Sequence, residues 1–167
     1  HAADLADAKQ CVDLIQAAEA RFGAVDILIN NAGIQYTAAV EQFPVERWDA
    51  ILAINLSAAF HTTRAVLPGM QQRGWGRIIN ISSVSALLGH RGQVNYAAAK
   101  GALHSATKAL ALELATRGVT VNAVAPGIID TPMSRGVFDE KTIERLVPMN
   151  RAGLPAGRRR ALRHRDW

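Results

Sequence analysis

The sequence predicts an α/β fold, in which helices cover both faces of a parallel β-sheet. Three short apolar segments have the composition of buried strands, and each leads directly into a polar loop. Helical segments, most clearly the first with its three- or four-residue apolar repeat, alternate with these strands along the chain. Strands that alternate with helices are typical of a parallel sheet, whose strands all end at one edge. The 167 residues allow one such domain.

The first helix and the first strand follow each other closely. Apolar positions recur every three or four residues from Leu5 to Phe22, and Gly23 ends the helix. The short apolar run Val25–Ile29 then predicts a strand buried on both faces, followed by the loop Asn30–Gly33. The same alternation continues with a helix over 45–72, a strand and polar loop over 76–83, a helix over 95–117 and a strand over 119–124.

The charge of the chain is concentrated at its end. Residues 1–150 carry 13 basic and 13 acidic side chains, so residues 151–167, with six arginines and one aspartate, account for the whole net charge of +5. No aromatic residues are interleaved with these arginines, no recognition motif accompanies them, and a charged terminus is usually solvated. We therefore expect 154–167 to be a disordered basic tail, with no specific binding of nucleic acid.

The remaining composition is that of a globular protein. Hydrophobic residues make up 49% of the chain and charged residues 20%. No run approaches the ~20 apolar residues of a membrane-spanning helix, and no secretory leader opens the sequence, so we expect a cytoplasmic protein without membrane contact. The single cysteine, Cys11, excludes an internal disulfide and a multi-cysteine zinc site, and no metal site is expected.

Tyr96 and Lys100 are the first candidates for chemistry. They lie four residues apart near the start of a predicted helix, so both side chains project from one face. A nearby ammonium favours the phenolate and is expected to lower the pKa of the phenol. Tyr96 could then exchange a proton with a carbonyl oxygen.

Other polar residues lie where they could join this pair. Ser83 follows a strand and could hydrogen-bond the same substrate oxygen. Asn55 lies in the middle of a helix, where an amide is a poor helix former. The small residues of Asn30–Gly33 allow a flat cofactor to approach the backbone closely. The three polar strand ends, Asn30–Gly33, Asn80–Ser83 and Pro126-Gly127, are expected to line the edge where parallel strands end and ligands bind.

The motifs Asn30-Asn31-Ala32-Gly33, Asn55, Ser83, Tyr96-x-x-x-Lys100 and Pro126-Gly127 resemble those of the short-chain dehydrogenase/reductase family in order and spacing. The resemblance covers about residues 1–153. It implies a Rossmann-type doubly wound sheet, here incomplete at both ends, because the family's glycine-rich phosphate-binding segment is absent from the sequence. It also implies a catalytic tetrad. In this tetrad Tyr96 is the general acid/base and Ser83 orients the substrate oxygen, while Lys100 lowers the pKa of the tyrosine and Asn55 places a water.

A nicotinamide cofactor, NAD or NADP, is implied by the same resemblance. Its adenine is expected near Asp4 and Leu5, although Asp4 could equally cap the first helix. The remaining cofactor contacts implied are Asn31, Ala32 and Gly33 at the adenosine ribose, Tyr96 and Lys100, and Pro126, Gly127, Ile129 and Thr131 at the nicotinamide.

Two substrate classes remain open. Residues 30–81, including Gln35, resemble 3-hydroxybutyrate dehydrogenases, whereas Gly92–Tyr96 resembles 3-oxoacyl-acyl-carrier-protein reductases. The hydroxybutyrate enzymes place a lysine for the substrate carboxylate where Gln93 stands, so we favour the reductase. The substrate contacts expected are Ser83, Gln35, Gln93 and Tyr96. The alternatives are a 3-hydroxybutyrate dehydrogenase and an inactive or non-catalytic chain of the same fold.

Two further expectations concern partners and motion. Residues 131–150 are expected to form either a substrate lid, with Met133, Val137, Phe138 and Leu146 as apolar contacts, or a surface helix that packs its apolar side down. The helices at about 45–72 and 95–117 are those through which the family forms dimers and tetramers. We therefore expect a homo-oligomer. The substrate expected is a small-molecule or acyl-carrier-protein-bound acyl group.

Overall fold

The computed structural model describes residues 1–149, with side chains as far as Arg145. The chain divides into two compact units, one spanning His1–Ala125 and a second beginning at Pro126. The predictions for residues 154–167 and for the Leu146 side chain lie outside the described residues.

Three parallel strands form the sheet in the order β1–β2–β3. They span Ile27–Asn30, Gly76–Ile81 and Val119–Val124. Leu28, Ile78 and Val121 are aligned across the sheet and therefore point to the same face. The predicted parallel α/β class is confirmed.

Five α-helices belong to the first unit as described. They are α1 (Ala8–Phe22), α2 (Val45–Leu52), α3 (Ala58–Arg73), α4 (Ser85–Leu88) and α5 (Val94–Leu114). A π turn over Ala53–Ser57 joins α2 to α3, and a short 3-10 turn covers Val40–Gln42. The cap of α1 is Asp7, whose carboxylate accepts from Lys9 N at 2.7 Å. Asp4 as the helix cap is therefore wrong, since its carboxylate accepts from Ala6 N in the preceding turn.

The core fills one face of the sheet. The aligned side chains of β1, β2 and β3 pack in one cluster with side chains of α1, α3 and α5. The buried members of the cluster are Ile15, Leu28, Val66, Met70, Ile78, Leu114, Val119 and Val121. Three helices thus share a single face of the sheet.

The opposite face of the sheet differs from the prediction. Ile27 is 54% exposed and Ile29 is 56% exposed, so β1 is buried on one face and not on both. Their aligned neighbours Thr120 and Asn122 on β3 are exposed as well. Within His1–Ala125, the helices of the core cluster cover only the first face, so the expected helical cover of both faces is not seen in this unit.

The helical stretch Val45–Arg73 is long and apolar enough to cross a membrane by length and composition, although the sequence analysis expected no such segment. Core helices of globular proteins share this composition. Here Val66 and Met70 are buried against the sheet, and Asn55 interrupts the stretch at the π turn. Its place in the fold accounts for its apolar character.

A buried polar network links the sheet to two helices. Asn30 Nδ2 donates to Asn80 Oδ1 at 2.8 Å, and Asn80 Nδ2 donates to Thr107 Oγ1 of α5 at 2.9 Å. On the α3 side, Thr62 Oγ1 donates to Asn30 Oδ1 at 2.8 Å. These bonds fix the polar ends of β1 and β2 against α3 and α5, because breaking one would strand a buried amide.

The described part of the second unit contains α6 (Pro132–Arg135) and α7 (Glu140–Met149). Thr131 caps α6 through a reciprocal pair of bonds with Ser134. Met133 is exposed, whereas Val137 and Phe138 are half-buried. The lid role of this segment stays a prediction.

Candidate active site

The polar loops that follow β1 and β2 begin at the carboxyl edge of the sheet. Ser82, just after β2, is buried and links two neighbouring elements to this edge. Its amide donates to Val124 O at the end of β3 at 2.7 Å, and its hydroxyl donates to Lys100 O in α5 at 3.1 Å. Ser82 was not among the predicted site residues, and its only sequence clue is its position beside Ser83.

Asn55 lies in the π turn between α2 and α3 and is buried. Its Nδ2 donates to Ile34 O at 2.9 Å, and its Oδ1 accepts from Ile34 N at 2.8 Å. π turns inside helices are frequent at functional sites. Asn55 thus holds the loop after β1 with both polar atoms of its amide. Its expected water-placing role stays a prediction.

Gly33 brings this loop against the catalytic candidates. A Cβ atom at Gly33 would lie 3.2 Å from Asn55 Oδ1 and 3.7 Å from Lys100 Nζ. A side chain at this position would therefore crowd the Asn55 amide. The glycine permits the close approach that joins the loop, α5 and the π turn.

Lys100 is buried, with only 3% of its surface exposed. Its Nζ donates to Ile81 O at 2.6 Å and lies 5.9 Å from the centre of the Tyr96 ring. The predicted Tyr96–Lys100 pair on one helix face is thus present. Burial disfavours the charged form and lowers the pKa of Lys100 from 10.5 to about 8.

Tyr96 is half-buried, and burial is the main influence on its hydroxyl. Burial raises the pKa of Tyr96, and a hydrogen bond with Ser83 opposes this change in part. We expected Lys100 to lower this pKa, and that expectation is wrong, because burial has the larger influence and raises it. The Ser83 hydroxyl also accepts from Ser85 N at 3.1 Å, which fixes its position beside the phenol.

The two glutamines expected at the substrate lie on adjoining loops. Gln35 Nε2 donates to Thr37 Oγ1 at 2.5 Å, while Gln93 is buried at the start of α5. A backbone bond from Ala38 N to Gly92 O, 3.1 Å long, joins the two loops. The contact of either glutamine with a substrate stays a prediction.

Several residues expected at the cofactor share one cavity. Leu5, Asn31 and Ala32 line a space of about 100 Å³, together with Asn55 and side chains of α1 and β1. Asn31 and Ala32 are themselves exposed residues. Pro126, Gly127, Ile129 and Thr131 belong to the second unit, and their part in the site stays a prediction.

A tyrosine, a lysine and a serine lie together at the carboxyl edge of this parallel α/β domain, and such a set is chemically able to exchange a proton with a carbonyl oxygen. The particular family follows from comparison with known proteins. A family model described as short chain dehydrogenase matches residues 1–142. The chain belongs to this family.

Curated relatives match over part of their own length. A D-beta-hydroxybutyrate dehydrogenase of Cupriavidus necator is 53% identical over 112 residues, which are 67% of this chain and 43% of the relative. An acetoacetyl-CoA reductase of Rhizobium meliloti is 44% identical over 155 residues, 93% of this chain and 63% of the relative. The chain thus spans between two fifths and two thirds of these relatives.

A solved structure gives the same result for the fold. A gluconate 5-dehydrogenase from Burkholderia cenocepacia J2315, in complex with NADP and tartrate, aligns with a TM-score of 0.79 and 40% identity. The alignment covers 83% of this chain and 55% of that structure. The Rossmann-like parallel sheet is therefore that of the family.

Proposed function

We propose that this chain carries the acid–base site of an NAD(P)-dependent oxidoreductase acting on 3-oxoacyl or 3-hydroxyacyl groups. The observation that carries the proposal is the hydrogen bond between Tyr96 and Ser83 with the Lys100 ammonium beside the phenol ring. Two hydroxyls and an ammonium at one point can bind and protonate a carbonyl oxygen.

The donor set fits a nicotinamide cofactor. The Lys100 ammonium has three N–H donors, and Ile81 O accepts one of them. Ribose hydroxyls are acceptors for the others, and the exposed residues Asn31 and Ala32 offer further polar groups next to Gly33 in the chain. When bound, the cofactor supplies or accepts the hydride at its nicotinamide ring. The choice between NAD and NADP is left open.

The protein's own residues perform the proton chemistry. Burial keeps the Tyr96 phenol protonated at neutral pH, which is the form that donates a proton to a carbonyl oxygen. Ser83, held by Ser85 N, donates to the same oxygen and orients it. The phenolate left behind would lie beside the Lys100 ammonium, whose positive charge stabilises it.

We assign the substrate to the thioester class, as in 3-oxoacyl-acyl-carrier-protein reductases. Gln93 is buried and neutral, so it offers no cation to a free carboxylate. The second candidate is 3-hydroxybutyrate dehydrogenase, which the 53% identity to the Cupriavidus necator enzyme favours. A cytoplasmic location fits both activities and is part of the proposal.

Turnover of two substrates tests these assignments. The purified chain is supplied with NADPH or NADH and either an acetoacetyl thioester or free acetoacetate. We expect faster oxidation of the cofactor with the thioester, and faster turnover of the free acid would favour the dehydrogenase. Tyr96→Phe should abolish turnover, while Tyr36→Phe, the matched control, should retain it. A folded chain that neither binds cofactor nor turns over would support the non-catalytic alternative.

We also propose that two copies associate through α3 and α5. A groove of about 560 Å³ lies between these helices, with Phe60 exposed at its side. Arg64, Glu113 and Arg117 also line it. In a two-fold dimer the groove of one copy faces the same groove of the other, so Glu113 of one copy can face an arginine of its partner. Light scattering should show a dimer that Phe60→Glu converts to a monomer, and an unchanged mass would refute the interface.

A further inference from the structure

Asn95, the residue before Tyr96, is fully buried. Its Oδ1 accepts from Tyr96 N at 2.7 Å, whereas its Nδ2 has no hydrogen-bond partner among the described residues. An unpaired buried donor costs free energy that an apolar side chain of similar size would not. The bond to Tyr96 is therefore the polar interaction that the fold gains from an asparagine at this position.

The position of this bond in α5 gives it a specific effect. α5 begins at Val94, and Gln93 before it makes no side-chain capping bond. The Tyr96 amide lies in the first turn, where backbone N–H groups have no acceptor within the helix. Asn95 supplies that acceptor from inside the helix, directly at the residue that carries the phenol.

We propose that Asn95 is a positioning residue that fixes the backbone of Tyr96 and so holds the phenol at Ser83. This inference rests on the proposed function of Tyr96 as the proton donor. Without the bond, the first turn of α5 loosens, and the phenol moves away from its half-buried place toward water. Asn95 bonds to the backbone of Tyr96, so it acts on the phenol only through that backbone.

His104 provides a matched control on the same helix. Its Nδ1 is also a buried nitrogen without a partner in the described part of the chain. It lies two helical turns beyond Tyr96 and has no bond to it. His104→Leu therefore removes a comparable unpaired group and should leave the phenol unaffected.

Ionisation of the phenol tests the proposal without cofactor or turnover. The chain has two tyrosines, so tyrosine labelled with ¹³C at Cζ gives two signals, and Tyr96→Phe identifies that of Tyr96. In Asn95→Leu the phenol leaves its half-buried place, so Tyr96 should show a higher ionised fraction at pH 10 than in the wild type. Asn95→Asp keeps the acceptor and adds negative charge, so its fraction should not exceed the wild-type value.

Each outcome decides the question. An unchanged fraction in Asn95→Leu, or an equal rise in His104→Leu, would overturn the proposal. If Asn95→Leu does not fold, Asn95→Ala is measured with the same expectation. Absence of turnover in the wild type would refute the proposed function alone, because the ionisation measurement needs no activity.

Discussion

Lys100 provides a prediction that the structure makes quantitative. The ammonium is buried with one backbone acceptor, and burial lowers its pKa to about 8 from 10.5. The folded chain therefore binds fewer protons than the unfolded chain between about pH 8 and pH 10.5. In this window the free energy of unfolding should rise with pH, because the penalty for the buried charge disappears as both states lose the proton.

The ordinary and the lowered pKa of Lys100 determine how much the buried charge destabilises the fold. Their difference corresponds to about 3 kcal/mol of destabilisation, present in full below pH 8 and absent above about pH 10.5. Lys100→Met removes this cost together with the bond to Ile81 O, which is worth about 1 kcal/mol. At pH 7 the variant should therefore be more stable than the wild type by about 2 kcal/mol, while losing the proposed activity.

Urea unfolding at a series of pH values measures this difference. The advantage of Lys100→Met should vanish between pH 7 and pH 10, since the wild type gains about 2.5 kcal/mol over that range. Lys108→Met, an exposed lysine on the same helix, is the control and should show a constant difference from the wild type. A stability difference for Lys100→Met that does not change with pH would refute the reasoning.

Two other substitutions probe close approaches in the fold. Gly118→Ala would place a Cβ atom 1.9 Å from the Gly74 carbonyl oxygen at a positive φ, so urea unfolding should show a loss above about 3 kcal/mol. In the control, Gly23→Ala, φ is also positive but no atom lies within 4 Å of the added Cβ, so the free energy of unfolding should fall by about 1 kcal/mol. Equal losses in the two variants would contradict the steric explanation. Asn55→Leu removes both bonds to Ile34 and should cost about 2–5 kcal/mol in the same assay, and a loss below 1 kcal/mol would show that this loop is held by other contacts.

The sequence predicted the regular elements well because their pattern is local. The strand Val119–Val124 and the long helix around Tyr96 follow from apolar composition and breakers. The π turn around Asn55 could not be predicted in this way, since its amide is held by Ile34, 21 residues earlier. The exposure of Ile27 was missed as well, because an apolar run does not reveal which elements cover each face.

The sequence indicated that three of the candidate residues lie together, but it did not indicate the backbone groups that hold the candidates in place. Tyr96, Lys100 and Ser83 were identified by residue type and spacing, and the structure brings them together. The acceptor of Lys100 and the groups that hold Asn55 are backbone atoms of Ile81 and Ile34. Backbone acceptors carry no residue-type pattern, so only the fold could reveal them.

The directions of the two pKa changes alter the account of how Tyr96 could act. A lysine on the same helix face suggested a phenol already close to ionisation. Instead, burial favours the neutral form of both groups, raising the pKa of Tyr96 and lowering that of Lys100. The resting phenol therefore keeps its proton at neutral pH and is ready to give it to a substrate. In the proposed reaction the charge of Lys100 would have its main effect after the transfer, because a phenolate and an ammonium attract each other strongly at a buried site. In the proposed reaction Lys100 would therefore act on the proton-transfer step, while burial sets the resting state of the phenol.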